Sequence, residues 1–331
     1  MEKISIETDL DHGLPGVLIT GATGFVGSAL CARLGRIGIR HRRALRHFAE
    51  PASEDIAPVG DIGSNTDWRA ALQGISSVIH LAGRAHVMHE SGSNPLAAYR
   101  ETNVEGTRRL AEAAAEEGVK RFIFLSSIKV NGERTDMQPF LESDEPRPED
   151  AYGISKLEAE QELTRIASES EMGITVIRPP LVYGPGVKGN FLSLIRAVHK
   201  GVPLPLASIM NSRSLVCVEN LVSAITTCLG DARAAGQTFL VADGEDLSTP
   251  ELIRRLAGAL GSRLRLYRCP LGLLRIAGTA TGSQASIKRL TESLQVDSSK
   301  IRRALDWKPA LSVEQGLSET ARWFVSNAGA K

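Results

Sequence analysis

The chain has no excess of charge, no long apolar run and few cysteines, and each shortage excludes something. Lys plus Arg number 39 and Asp plus Glu 38, a formal net charge of +1. That balance provides no electrostatic footprint for nucleic acid or an anionic membrane. The longest apolar runs, such as residues 216–218 and 122–125, are far too short to span a bilayer. The first 14 residues mix acids with polar side chains and contain no apolar signal core, so they read as a short flexible leader. The four cysteines, Cys31, Cys217, Cys228 and Cys269, are scattered through apolar patterns. Their spacing fits neither a disulfide framework nor a metal site, and implies buried free thiols in a reducing cytoplasm. The seven histidines show no ligand spacing either, so no metal is expected.

What is present is a chain of 331 residues, 42% hydrophobic and 23% charged, the balance of an ordinary soluble globular protein. Residues 16–20 and 40–45 read as strands around a helix at 25–34, and residues 78–81, 121–126 and 175–178 are further short apolar runs. Segments 99–117 and 152–168 have helical spacing between them. Strands alternating with helices predict an α/β fold with a doubly wound parallel sheet. After Arg178 the prolines and glycines cluster, which predicts a smaller mixed α/β lobe closing over the sheet's carboxyl edge. The expected division is a dinucleotide-binding Rossmann domain at 15–182 and a discontinuous substrate lobe at 183–331. The chain should return to the main sheet within 213–242, at 215–228 and 237–241.

Directly after the first strand, ITGATGFVG places Gly21, Gly24 and Gly27 at the start of a helix. Glycines there permit a tight turn and let backbone N–H groups approach a pyrophosphate at the helix N-terminus. The turn residues Thr23, Phe25 and Val26 share in that contact. An NAD enzyme would end its second strand with an acid for the ribose 2′-hydroxyl. Leu45 stands there instead, surrounded by Arg42, Arg43, Arg46 and His47. Guanidinium groups suit a 2′-phosphate, which favours NADP(H) over NAD(H), with Arg46 as the expected contact.

Far downstream, AYGISK sets Tyr152 and Lys156 one helical turn apart. A phenol with a reference pKa of ~10 needs a neighbouring positive charge to exchange protons near neutrality. Lys156 can supply that charge and also hold a nicotinamide ribose. Ser127, just past a strand in FLSSIKVNG, is placed to polarise the reacting oxygen.

With these motifs the chain resembles the extended short-chain dehydrogenase/reductases, the NAD-dependent epimerase/dehydratase family of nucleotide-sugar enzymes, from Gly16 to about Phe324. Asp61–Ile62 resembles the pair that contacts adenine in that superfamily, and HLAG, with Leu81, Ala82 and Gly83, resembles the family's stretch after the fourth strand. Asn103 resembles a helix asparagine that steadies the site, and Pro179 lies in a segment like the one that shapes the nicotinamide pocket. On the substrate side, the resemblance implies that Asn190 and Arg213 contact a nucleotide diphosphate, with Lys288 or Arg289 as a second cation. Residues 203–206, PLPL, resemble the segment lining a uracil pocket. Arg84 and His86 stand where the sugar would lie. Helices 99–117 and 152–168 resemble a pair that forms a homodimer interface, although Leu110, Ile154, Leu157, Leu163 and Ile166 could equally pack on the protein's own sheet.

Departures narrow the reaction. A 4,6-dehydratase carries an acid pair directly after the active-site hydroxyl, and Ile128–Lys129 occupies those positions, which disfavours dehydration. The first expectation is a 4-ketoreductase of a UDP-4-keto-6-deoxy-hexosamine in surface-polysaccharide synthesis. The alternative is a UDP-sugar 4-epimerase, acting on UDP-glucose or UDP-GlcNAc, that retains NAD. A non-catalytic dinucleotide-binding protein is a third reading, disfavoured because Tyr152 and Lys156 are both kept.

Overall fold

The computed structural model describes residues 16–47, 54–85, 95–280 and 284–328. The expected leader and His86 lie outside the described residues. The strands are β1 (Val17–Thr20), β2 (His41–Leu45), β3 (Ile56–Pro58), β4 (Ser77–His80), β5 (Arg121–Leu125), β6 (Gly173–Arg178), β7 (Leu181–Tyr183), β8 (Leu215–Cys217) and β9 (Thr238–Leu240). The helices in the first half are α1 (Phe25–Arg36), α2 (Arg69–Leu72), α3 (Pro95–Tyr99), α4 (Gly106–Glu116) and α5 (Ala151–Ser168). Those that follow are α6 (Gly189–His199), α7 (Val218–Gly230), α8 (Thr249–Ala259), α9 (Leu271–Ala280), α10 (Gln284–Thr291), α11 (Ser299–Leu305) and α12 (Val313–Ala328).

Seven parallel strands form the main sheet in the order β3-β2-β1-β4-β5-β6-β9. Central strands β1 and β4 are buried on both faces, as near-continuous apolar runs in parallel sheets are. Helices α1, α7 and α11 cover one face through Leu30, Leu34, Ile225, Leu229, Ile301 and Leu305. Helices α4 and α5 cover the other through Leu110, Leu163 and Ile166, with Trp68 beneath them. The fold is a doubly wound Rossmann sheet, and its strand order reverses between β1 and β4, where such sheets open a crevice for ligands. A second core joins α6, α8 and α12 through Phe191, Ile195, Leu252, Ile253, Leu256, Leu317 and Phe324.

Two elements differ from expectation. Of the two predicted returns, 238–240 pairs with β6, but β8 pairs with β7 in a separate two-stranded sheet. The consecutive Pro179 and Pro180, which lack N–H donors, end the β6 ladder and divert the chain. From the first return, α7 packs on the face of the main sheet, and Val216 of β8 joins the same core. The long helix expected at 99–117 is interrupted by a π-helical turn, Arg100–Glu105. The extra residue in that turn rotates Asn103 inward, where it is 1% exposed.

Residues 293–297 strap the lobe to the loop after Ser127. Thr135 and Phe140 donate backbone bonds to Ser293 and Gln295, while Ser214 donates to Leu294 from the other side.

Candidate active site

The turn after β1 is closed by glycines that no other residue could replace. Gly21 has φ +68°, and a Cβ there would stand 2.7 Å from the Ala82 nitrogen; one on Gly27 would stand 2.1 Å from the Gly21 carbonyl oxygen. Only glycine fits either place, so the turn closes tightly on the end of β4. Gly24 caps α1 without a side-chain bond, which leaves the first-turn N–H groups beside Thr23, Phe25 and Val26 available to an anion. Leu81 and Ala82 continue β4 alongside and are stitched back to Thr20. These residues fit a dinucleotide's pyrophosphate.

His80, fully buried, bridges the Thr20 hydroxyl at 2.6 Å and the Thr107 hydroxyl at 2.9 Å. Burial, with the nearby Lys156 charge, pushes its imidazole down to about 3, so it is a neutral tie between β1, β4 and α4. Beyond it, Asn103 accepts from the Arg84 N–H at 2.7 Å and donates to the Arg84 carbonyl and the Ser155 hydroxyl. A Cβ on Gly83 would lie 3.1 Å from the Asn103 amide oxygen and 3.5 Å from Lys156 Nζ. The π-turn thus sets Asn103 between the β4 loop and the helix that bears Tyr152.

Ser127 follows β5 in extended backbone, and its loop hangs from β6 because the Ile128 N–H donates to the buried Pro179 carbonyl. Asp150 caps α5 by accepting from the Gly153 N–H at 2.7 Å, which starts the helix just before Tyr152. Burial pushes the Tyr152 phenol up to about 12, reinforced by the Asp150 charge and opposed by a hydrogen bond from Ser127. The Tyr99 ring stands edge-on to Tyr152 with centroids 6.2 Å apart. Lys156 is 3% exposed and lies over the Phe124 ring, with one of its three donors on the Leu125 carbonyl at 2.8 Å. Burial pushes its ammonium down to about 8, held up in part by Glu160. Serine, phenol and ammonium converge at the carboxyl ends of β4 and β5, beside the glycine turn.

Similarity to known proteins bears on this arrangement. Residues 17–242 match the model of the NAD dependent epimerase/dehydratase family. The chain belongs to this family. It is 45% identical over 319 residues to a UDP-glucose 4-epimerase of Vibrio cholerae, spanning 95% of this chain and 97% of that one. An N-acetyl-alpha-D-glucosaminyl-diphospho-ditrans,octacis-undecaprenol 4-epimerase of Escherichia coli O157:H7 is 27% identical across 94% of this chain and 96% of its own. The solved structure of MoeE5 in complex with UDP-glucuronic acid and NAD superposes with a TM-score of 0.76 at 26% identity, covering 94% of this chain and 99% of that one.

Along β2 and past its end, the basic run divides. Arg42 turns to the far face, where it donates to the Glu54, Ala71 and Gln73 carbonyls, so it is a structural residue and no phosphate contact. Arg43 faces α1 beside Cys31. Exposed Arg46 pairs with exposed Asp61 at 2.7 Å, and Ile62 packs under Gly106 at the close approach of α4.

On the lobe side, Arg213 is held between residues 247 and 294, donates to the Glu292 carbonyl at 3.0 Å and feels both Glu133 and Arg289. Asn190 is exposed in the first turn of α6, and Arg289 is exposed on α10. Residues 204–207 bond to 265–267, so the PLPL segment is half of a two-stranded contact. Arg84 keeps its backbone on Asn103 and its guanidinium 5.7 Å from the Tyr99 ring centre.

Two clusters were missed in sequence. Glu160 accepts from Arg178 at 3.0 Å and from Ser126, and Arg178 also donates to Asn131 at 2.9 Å, all of them buried. Its signal was the stripe Tyr152, Lys156, Glu160 at four-residue steps along α5. Lys129 donates to Asp150 and Glu133, each at 2.6 Å, tying the Ser127 loop to the cap of α5. No spacing rule links those three residues.

Proposed function

We propose that this protein is a UDP-sugar 4-epimerase that works with NAD. The observation that carries the reading is the 45% identity, along almost the whole of both chains, to a UDP-glucose 4-epimerase. The convergence of Ser127, Tyr152 and Lys156 supports it, and the absence of acids at Ile128 and Lys129 argues against dehydration.

The glycine turn would hold the pyrophosphate, Asp61 and Ile62 the adenine end, and Lys156 with Asn103 and Pro179 the nicotinamide end. NAD, when bound, supplies the acceptor and later the donor of the C4 hydride. Tyr152 takes the proton from the sugar O4 and returns it, and Ser127 bonds to the same oxygen and orients it. Lys156, charged at neutral pH, lowers the cost of the phenolate that burial has raised. Arg213 and Arg289 would grip the diphosphate by charge-assisted bonds, with Asn190 donating from α6 and Arg84 near the sugar. We assign residues 183–331 mainly to the substrate lobe and place the protein in the cytoplasm. In a homodimer, Ile154 and Leu157 are the two left for the α4–α5 face among the five apolar residues of the expected interface, since Leu110, Leu163 and Ile166 are spent in the protein's own core.

A 4-ketoreductase using NADPH is the second reading, favoured by one observation: β2 ends in Leu45 followed by exposed Arg46. Incubating the purified protein with UDP-glucose or UDP-GlcNAc, without added cofactor, separates the two. Interconversion with the galacto sugar supports the epimerase. Loss of NADPH with a UDP-4-keto-6-deoxy-hexosamine, and no interconversion, replaces it with the reductase. In the latter case Arg46→Ala should weaken NADPH at least tenfold more than NADH by titration; as an epimerase the protein should show no such difference.

A further inference from the structure

The near-zero net charge hides a segregated surface. Between Glu251 and Glu292 the sequence has no acid over forty residues, 252–291, which include eight lysines and arginines. Arg254 and Arg255, on α8, are satisfied by Glu251 and Glu245. Arg263, Arg265 and Arg268, exposed on the stretch leading to α9, have no ion-pair partner among the described residues. The same stretch concentrates apolar exposure. Of the twelve large apolar side chains exposed among the described residues, five (Leu264, Tyr267, Leu271, Leu273 and Ile276) fall within 264–276, a concentration that scattered surface residues do not show. Leu273 and Ile276, one turn apart on α9, are 59% and 67% exposed, while Leu274 is buried in the lobe core and fastens the helix.

A second copy of the chain is a poor occupant of this face. Twofold pairing would set the same arginines against each other, with no acid in the segment to separate them. An anionic bilayer offers both complements at once, phosphates for the guanidinium groups and an acyl boundary for the apolar turn. No helix of the described residues is long and apolar enough to cross a membrane, and α9, at ten residues, suits the interfacial plane. We infer that residues 263–276 form a docking surface for an anionic phospholipid bilayer, with Leu273 and Ile276 entering the acyl boundary. Helix α9 packs on α10, so docking holds the Arg289 side of the lobe near the headgroups.

The test is co-sedimentation of the full chain with vesicles of phosphatidylcholine alone or mixed with phosphatidylglycerol. Partitioning is expected only onto the mixed vesicles and is reversed by salt. Arg263→Gln, Arg265→Gln and Arg268→Gln should each lower it about fivefold, the equivalent of ~1 kcal/mol per basic residue. Leu273→Ser with Ile276→Ser should lower it at least tenfold while turnover of a soluble nucleotide sugar and the circular dichroism spectrum stay unchanged. Failure to sediment, or equal binding to both vesicle types, overturns the inference. So does a Leu273→Ser/Ile276→Ser variant that turns a dimer into a monomer in light scattering without altering vesicle binding.

Discussion

Tyr152 and Lys156 carry opposite burdens from the same cause. Burial raises the phenol to about 12 and lowers the ammonium to about 8, so each moves toward its neutral form. Proton transfer at the proposed site therefore depends on keeping Lys156 charged. Since kcat/KM reports the free enzyme, its alkaline limb should fall as pH rises through about 8, where Lys156 loses its proton. Stability runs the other way. The unfolded lysine titrates near ~10.4, so between about 8 and that value the unfolded chain binds the extra proton, and stability rises with pH. Lys156→Met should accordingly raise stability at pH 7, on the order of 1–3 kcal/mol in denaturant unfolding, while abolishing turnover. Tyr152→Phe should keep cofactor affinity and lose roughly 10²–10⁴ in rate, measured by single turnover; an unchanged rate would remove Tyr152 from the mechanism.

The elements are joined behind the site by the Glu160–Arg178 pair, which locks α5 to β6 and, through Ser126 and Asn131, to the loop that carries Ser127. Removing one charge from a buried pair leaves the other unpaired, so Glu160→Gln should cost ~3–5 kcal/mol, read as a lower urea midpoint at unchanged slope. It should also move the alkaline limb of activity to lower pH, because Glu160 helps hold the proton on Lys156. Strands β1, β2, β4, β5 and β6, the glycine turn and the Tyr152–Lys156 step were legible in sequence because each depends on neighbours within a few residues, whereas the short β3 and β7 were not. The π-turn was not, since helical periodicity over 99–117 reads the same with or without one added residue. Arg42 and Arg46 looked alike in the basic run, yet Arg42 lies within β2 and is buried against the Glu54, Ala71 and Gln73 carbonyls, whereas Arg46 follows the strand's end and is exposed.

At the scale of the molecule, the two proposed domains share one core. Val218, Leu221, Ile225, Phe239, Ile301 and Trp307 come from beyond residue 182 and pack with Leu30, Ile79 and Ile123. A fragment of residues 15–182 should therefore fail to fold, giving no near-ultraviolet circular dichroism, whereas the full chain should unfold in urea with one transition by fluorescence and far-ultraviolet signals. A cooperative fragment would show that the lobe is a separate unit. The sequence alone determined the parallel doubly wound sheet, the glycine-rich turn after β1 and the order of Ser127, Tyr152 and Lys156 along the chain, because periodicity and glycine sterics act locally. Only the tertiary structure decided which cations are spent in hydrogen bonds, where β8 pairs, and how Lys129, Asp150 and Glu133 meet. It also revealed that Arg263, Arg265 and Arg268, without ion pairs among the described residues, lie in the same stretch as five exposed large apolar side chains. Those outcomes depend on contacts between residues distant in sequence, and on burial, which sets the energy of a charge and which no local pattern encodes.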